Sequence, residues 1–131
     1  MEFRQVDLSS QQSPIQLVME HGGKVGGTLV GTAKMRRGEQ VPATGASTHP
    51  ADEYSYVLRG RVEVEVGGRQ VEASTGTLMV IPAGQGHITR ALDDAEVLWW
   101  WVGHHSDFDG LKQVYSFSTD HAPSPSGGER P

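Results

Sequence analysis

Between Glu53 and Val102 the sequence is a succession of strand-length runs, each cut off by a short turn: EYSYVL, RVEVEV, GGRQVEA, TLMVIP, HITRAL and EVLWWWV. In RVEVEV, Val62, Val64 and Val66 fall on one face while Glu63 and Glu65 fall on the other, the period of a strand with one buried side. GGRQVEA reads as a hairpin turn with its returning strand. TLMVIP is a continuous apolar run, expected to form a strand buried on both faces. Upstream, PIQLVME and TLVGTAKMRRG read as two further strands joined by the glycine-rich turn GGKVGG. No segment sustains a 3.6-residue period, and SDFDGLKQVYSF is expected to hold one helical turn at most. About eight to ten short strands, with a turn roughly every ten residues, point to an all-β sandwich or small barrel.

The chain has 131 residues, enough for one domain with a real core. Its organisation is expected to be a loose polar leader over residues 1–13, one domain over 14–115, and a flexible Ser/Pro/Gly-rich tail over 116–131. With no cysteine in the sequence, disulfides, thiolate ligands and a Cys nucleophile are excluded. The net charge is −5 and the densest basic run is KMRRG, so nucleic acid is not expected as a partner. MEFRQVDLSS lacks the basic and apolar regions of a signal peptide, and no apolar run approaches the roughly 20 residues of a membrane span. A cytoplasmic protein without membrane contact is expected.

Two segments carry chemistry. STHPADEYSYVLRG (47–60) holds one His and two carboxylates ahead of a strand; by itself it suits a metal half-site, a metal-free acid–base site or a polar turn. GTLMVIPAGQGHITRA (76–91) breaks a strand at Pro82, Ala83 and Gly84, and His87 begins the next; by itself it is a turn followed by a surface His. In this order and at this short separation, however, they resemble the two motifs of the cupin superfamily. These run G-x5-H-x-H-x3–4-E-x6-G and G-x5-P-x-G-x2-H-x3-N. His49, Glu53 and Gly60 keep the spacing of the second half of the first. Gly76, Pro82, Gly84 and His87 keep that of the second. Three positions depart: Ser47 stands where the first motif has its first His, Ala91 where the second has its Asn, and Val41 where a Gly is expected, with Gly38 nearby.

The resemblance implies an all-β cupin barrel of jelly-roll type, built from two antiparallel sheets. It also implies that His49, Glu53 and His87 converge on the barrel interior from neighbouring strands. Two His and one carboxylate suit iron, manganese, nickel or zinc, and these three residues are the candidate metal ligands and catalytic groups. The hydroxyl of Ser47 is a poor ligand for a divalent ion, so water is expected in its place. The implied function is a small-molecule enzyme of oxygenase, isomerase, lyase or cyclase class. Two alternatives stay open. One is a metal-free isomerase or cyclase with His87 as base and Glu53 as its partner; the other is a non-catalytic ligand-binding or sensor barrel.

Alternation places Trp99 and Trp101 on one face of their strand and Trp100 on the other. The expected pocket walls are Trp99 and Trp101, with Ser47, with Ser55 and Val57 beside Glu53, and with the adaptable thioethers Met35 and Met79. Such walls suit a partly apolar or aromatic substrate. Arg59 and Arg90 are the nearest cations to the motifs, which argues against phosphorylated substrates. Asp52 is expected to point away from the barrel axis, His104 and His105 to form a polar strand end, and His21 and His121 to have no function. Tyr54, Tyr56 and Leu58 lie opposite Glu53, and the resemblance implies a homodimer formed through that outer face.

Overall fold

A computed structural model describes residues 1–23 and 26–118. Among them are nine strands: β1 Ile15–Gly22, β2 Gly27–Met35, β3 Gln40–Val41, β4 Asp52–Arg59, β5 Arg61–Val66, β6 Arg69–Ser74, β7 Leu78–Ile81, β8 His87–Ala91 and β9 Ala95–Gly103. They form two antiparallel sheets, one of five strands in the order β1-β2-β9-β4-β7 and one of four in the order β3-β8-β5-β6. Packed face to face, the sheets make the jelly-roll barrel expected of a cupin. The tail residues 119–131, with His121, lie outside the described residues.

Alternation sets the interior. Val62 and Val64 of β5 are buried, as are Val97, Trp99 and Trp101 of β9. Glu63 and Glu65 face outward, where both meet the Arg90 guanidinium, at 3.3 and 3.1 Å. Two glycines permit close approaches. Gly60 turns the β4–β5 corner at φ +78 against the backbone of Asp94, a conformation that L side chains rarely adopt. Gly31 on β2 leaves the space that the indole of Trp99 fills, where any Cβ would collide with the ring.

Two expectations fail. TLMVIP is not buried on both sides: Leu78 and Val80 are 59% and 53% exposed, while Met79 and Ile81 face the barrel. The strand β7 is an edge of the five-stranded sheet, and nothing among the described residues covers its outer face. An unbroken apolar run cannot reveal which of its sides a second layer will reach. The C-terminal segment also holds more than one helical turn. A 3-10 helix at His105–Phe108 continues into α1, Asp109–Val114. A capping box between His104 and Asp107 starts it, fully buried Phe108 anchors it, and Lys112 ties it to Glu20 of β1 at 2.8 Å. Phe108, Leu111 and Tyr115 do have helical spacing, but the element is too short for a period to emerge.

The segment before β1 lies against β2. Leu8–Ser10 forms a 3-10 turn, Lys34 Nζ donates to Leu8 O at 2.7 Å, and Thr32 Oγ1 donates to Gln11 Oε1 at 2.6 Å. No helix among the described residues is long and apolar enough to cross a membrane.

Candidate metal centre in the barrel

The residues of the two motif segments meet through their backbones. Ser47 and His87 exchange two N–H···O bonds of 2.9 Å each, and Gly84 N–H donates to His49 O at 2.9 Å. Asp52, exposed as expected, accepts from Ala83 N–H at 2.9 Å and so pins the Pro82–Gly84 turn to β4. These bonds, rather than a regular strand through residues 47–51, hold His49 beside Glu53 and His87. The expectation of neighbouring strands also needs correction: Glu53 is on β4 of the five-stranded sheet and His87 opens β8 of the four-stranded one, so the two carboxylate and imidazole donors face each other across the barrel.

One ring nitrogen each of His49 and His87 and a Glu53 oxygen lie within 4.8 Å of one another. His49 Nε2 is 3.1 Å and His87 Nε2 3.9 Å from Glu53 Oε1. Each imidazole is oriented by a backbone carbonyl, His49 Nδ1 by Ala51 O at 2.9 Å and His87 Nδ1 by Gln85 O at 3.2 Å. A carbonyl only accepts, so Nδ1 carries a proton, and in a neutral ring this geometry leaves the Nε2 lone pair turned toward Glu53. His49 Nε2 is buried and, despite its nearness to the carboxylate, has no hydrogen-bond partner. Donors about 2.0–2.2 Å from one ion would sit roughly 3–4 Å apart, as each histidine does from Glu53. An orphaned buried nitrogen within such a set fits a divalent metal.

Glu53 is held on both oxygens. Trp101 Nε1–H donates to Oε1 at 2.9 Å, and Ser55 Oγ–H donates to Oε2 at 3.1 Å. The same Trp101 ring stacks on His49, with centroids 4.0 Å apart and planes at 28°. One indole therefore orients two of the three donors. Burial by itself would raise the Glu53 carboxyl's pKa; positive charge on the adjacent His49 and His87 rings, when they are protonated, and the Trp101 N–H outweigh it and hold the group below the ordinary glutamate value.

A cavity of about 110 Å³ adjoins these donors. It is lined by Ser47, Ser55, Met35, Met79, Trp99 and Trp101, all anticipated from the sequence. Val57 is not among the lining residues; its side chain does point inward but is fully buried in the core. Alternation gives the face of a residue and not its depth along the barrel. Several lining residues were not singled out. Val62, Val64 and Thr89 come from the four-stranded sheet, and Leu111 and Tyr115 come from α1 and the residue that ends it. The alternation of β5 signalled the two valines; helical spacing signalled Leu111 and Tyr115.

The outlying candidates do not join the site. Arg90 is taken up by Glu63 and Glu65, and Arg59, 4.0 Å from Glu96, lines a separate polar groove with Lys34 and Asp94. His104 caps the 3-10 helix, and His105 lies 3.5 Å from Glu20. His49, Glu53 and His87 are the only group among the described residues placed to share a metal ion.

A family model for the cupin domain matches residues 32–103, more than half of the chain. The chain belongs to the cupin family, whose members commonly bind small molecules. A comparison with curated proteins finds no match. Among solved structures, KdgF from Halomonas sp. is 25% identical with a TM-score of 0.57, over 72% of this chain and 81% of that one. An RmlC-like cupin from Desulfovibrio desulfuricans is 20% identical with a TM-score of 0.59, over 77% and 96%. The EutQ protein of Clostridium difficile is 26% identical with a TM-score of 0.51, over 60% and 58%, so the match spans less than two thirds of that protein's length.

Proposed function

We propose that this cupin is a small-molecule enzyme whose reaction takes place inside the barrel, at a divalent metal held by His49, Glu53 and His87. The observation that carries the reading is the pair of imidazoles, each with Nδ1 bonded to a backbone carbonyl and Nε2 turned toward Glu53 Oε1. When bound, an ion of the iron, manganese, nickel or zinc type polarises a substrate oxygen or activates water. The chain's own residues do the rest. Ser55 occupies Glu53 Oε2 and leaves Oε1 as the oxygen facing both histidines. Trp101 keeps the His49 ring and the Glu53 carboxylate in fixed planes. Met35, Met79 and Trp99 line the cavity with apolar surface that excludes water from a bound substrate. Ser47, short and neutral where the cupin motif has a further His, leaves room for that substrate beside the donors.

Protein purified without chelators is expected to carry about one ion per chain, and His49→Ala and His87→Ala to lose it. No ion after reconstitution with iron, manganese, nickel and zinc would overturn the reading. The approach of both histidines to Glu53 Oε1, at 3.1 Å for His49 and 3.9 Å for His87, favours a second one, metal-free proton transfer with His87 as the base and Glu53 as its partner. Turnover that survives metal removal but disappears in His87→Ala would establish it.

The proposal extends to assembly. Tyr56, Leu58, Leu78 and Val80 are 39–59% exposed on the outer face of the five-stranded sheet, and a second copy of the chain covers it. Sedimentation is expected to give a dimer that Leu78→Glu dissociates.

A further inference from the structure

The cavity is poor in charge. Glu53 is its one carboxylate, and among the described residues no Lys or Arg lines it. The two arginines nearest the motifs in sequence are engaged elsewhere, Arg90 with Glu63 and Glu65 and Arg59 near Glu96. A divalent ion opposite a single carboxylate leaves one unit of positive charge. His49 and His87 around it are only 7% and 6% exposed, so that charge is poorly screened. A ligand with one negative charge completes the balance. A second negative charge would be buried without a partner, which a largely apolar interior penalises heavily.

The remaining polar groups of the wall are neutral. Ser47, Thr89 and Tyr115 line the cavity, and their hydroxyls make no hydrogen bond within the described residues. Trp99 Nε1–H is buried with no partner. Hydroxyls and an indole N–H complement carbonyl, ether or hydroxyl oxygens, and they bring no charge to offset a second anionic group. The rest of the wall, including Met35, Val62, Val64 and Met79, is apolar.

Resting on the metal reading above, we propose that the barrel selects a small monoanionic carbon compound bearing further uncharged oxygens, such as an oxo or hydroxy monocarboxylate, and rejects dianions and phosphate esters. The selection comes from charge balance at the ion and from the neutral hydroxyl lining.

The test uses the full chain titrated first with Mn(II), then with three probes of similar size: 2-oxobutyrate, ketomalonate and phosphoglycolate. Water-proton relaxation reads displacement of water from the bound ion, and each affinity is divided by that of the same probe for free Mn(II). After that correction 2-oxobutyrate is expected to bind at least tenfold more tightly than either of the others. Equal or tighter binding of ketomalonate or phosphoglycolate to Mn(II)-loaded protein overturns the charge rule and leaves the metal reading intact. Failure to take up Mn(II) at the first step, and then iron, nickel or zinc in its place, overturns both. Thr89→Lys adds the missing cation to the wall and is expected to tighten phosphoglycolate binding at least tenfold; if it does not fold, Tyr115→Arg makes the same test. No tightening in a folded variant also overturns the rule.

Discussion

On its inner face the five-stranded sheet carries Glu53 and Ser55 from β4 and Trp99 and Trp101 from β9, whereas the four-stranded sheet carries Val62 and Val64 from β5, Ala73 from β6, Thr89 and a single donor, His87, from β8. The first sheet holds the carboxylate together with the groups that orient it. The second is mainly wall, and its one donor sits at the first residue of a strand, set by Ser47 and by the Gln85 carbonyl. The donor set therefore closes only when the two sheets pack. An ion shared by Glu53 and His87 would fasten one sheet to the other and would couple its own binding to barrel stability.

The largest expected effect tests that coupling. Removing the cross-sheet donor in His87→Ala should weaken metal binding by more than the roughly 10–100-fold that changes behind the ligands cost. It should also abolish the rise in Tm that metal gives the unaltered chain; calorimetry with and without metal measures both, and a rise that persists would show that the sheets are not joined at this site. Next comes Trp101→Phe, which keeps a ring over His49 but loses the N–H to Glu53. A loss of about tenfold in metal affinity by isothermal titration is expected, and no change would mean that packing alone positions the carboxylate. On the wall side, Val64→Ala should cost about 1.5 kcal/mol of stability in denaturant unfolding and leave metal affinity within about twofold. A large affinity loss there would show that the four-stranded sheet does more than enclose the cavity.

The smallest effect lies outside the barrel, where Glu20 ties β1 to α1. The Lys112 bond and the nearby His105 outweigh burial and hold the Glu20 carboxyl below its ordinary value of 4.5. With the folded pKa below the unfolded one, the contribution is present above about pH 4.5 and disappears as the pH falls through the folded value. Glu20→Gln should thus lower stability by under about 1 kcal/mol at pH 7 and by less than that at pH 3. An equal loss at both pH values would assign the effect to packing and not to charge.

Much of this was legible in the chain. The period-2 pattern of RVEVEV and the turns around it announced β5 and β6, and the resemblance of the two motif segments to those of cupins implied that His49, Glu53 and His87 cluster, as they do. The same alternation that put Ser55 beside Glu53 misplaced Val57 in the pocket, because a face is a local property and depth is not. TLMVIP read as doubly buried because apolarity carries no record of which sides another layer covers. Leu111 and Tyr115 went unnoticed since a helix of six residues hardly shows a period, although its docking by Phe108 and Lys112 makes it part of the cavity wall.

By itself the sequence indicated the all-β class, through residue type and short-range spacing, and, through its resemblance to the two cupin motifs, the three residues that could hold a metal. Only the tertiary structure decided that the donors come from opposite sheets, that one tryptophan orients two of them and that no cation among the described residues reaches the cavity. Those facts depend on how separate strands pack across a barrel, and no spacing along a single strand encodes that.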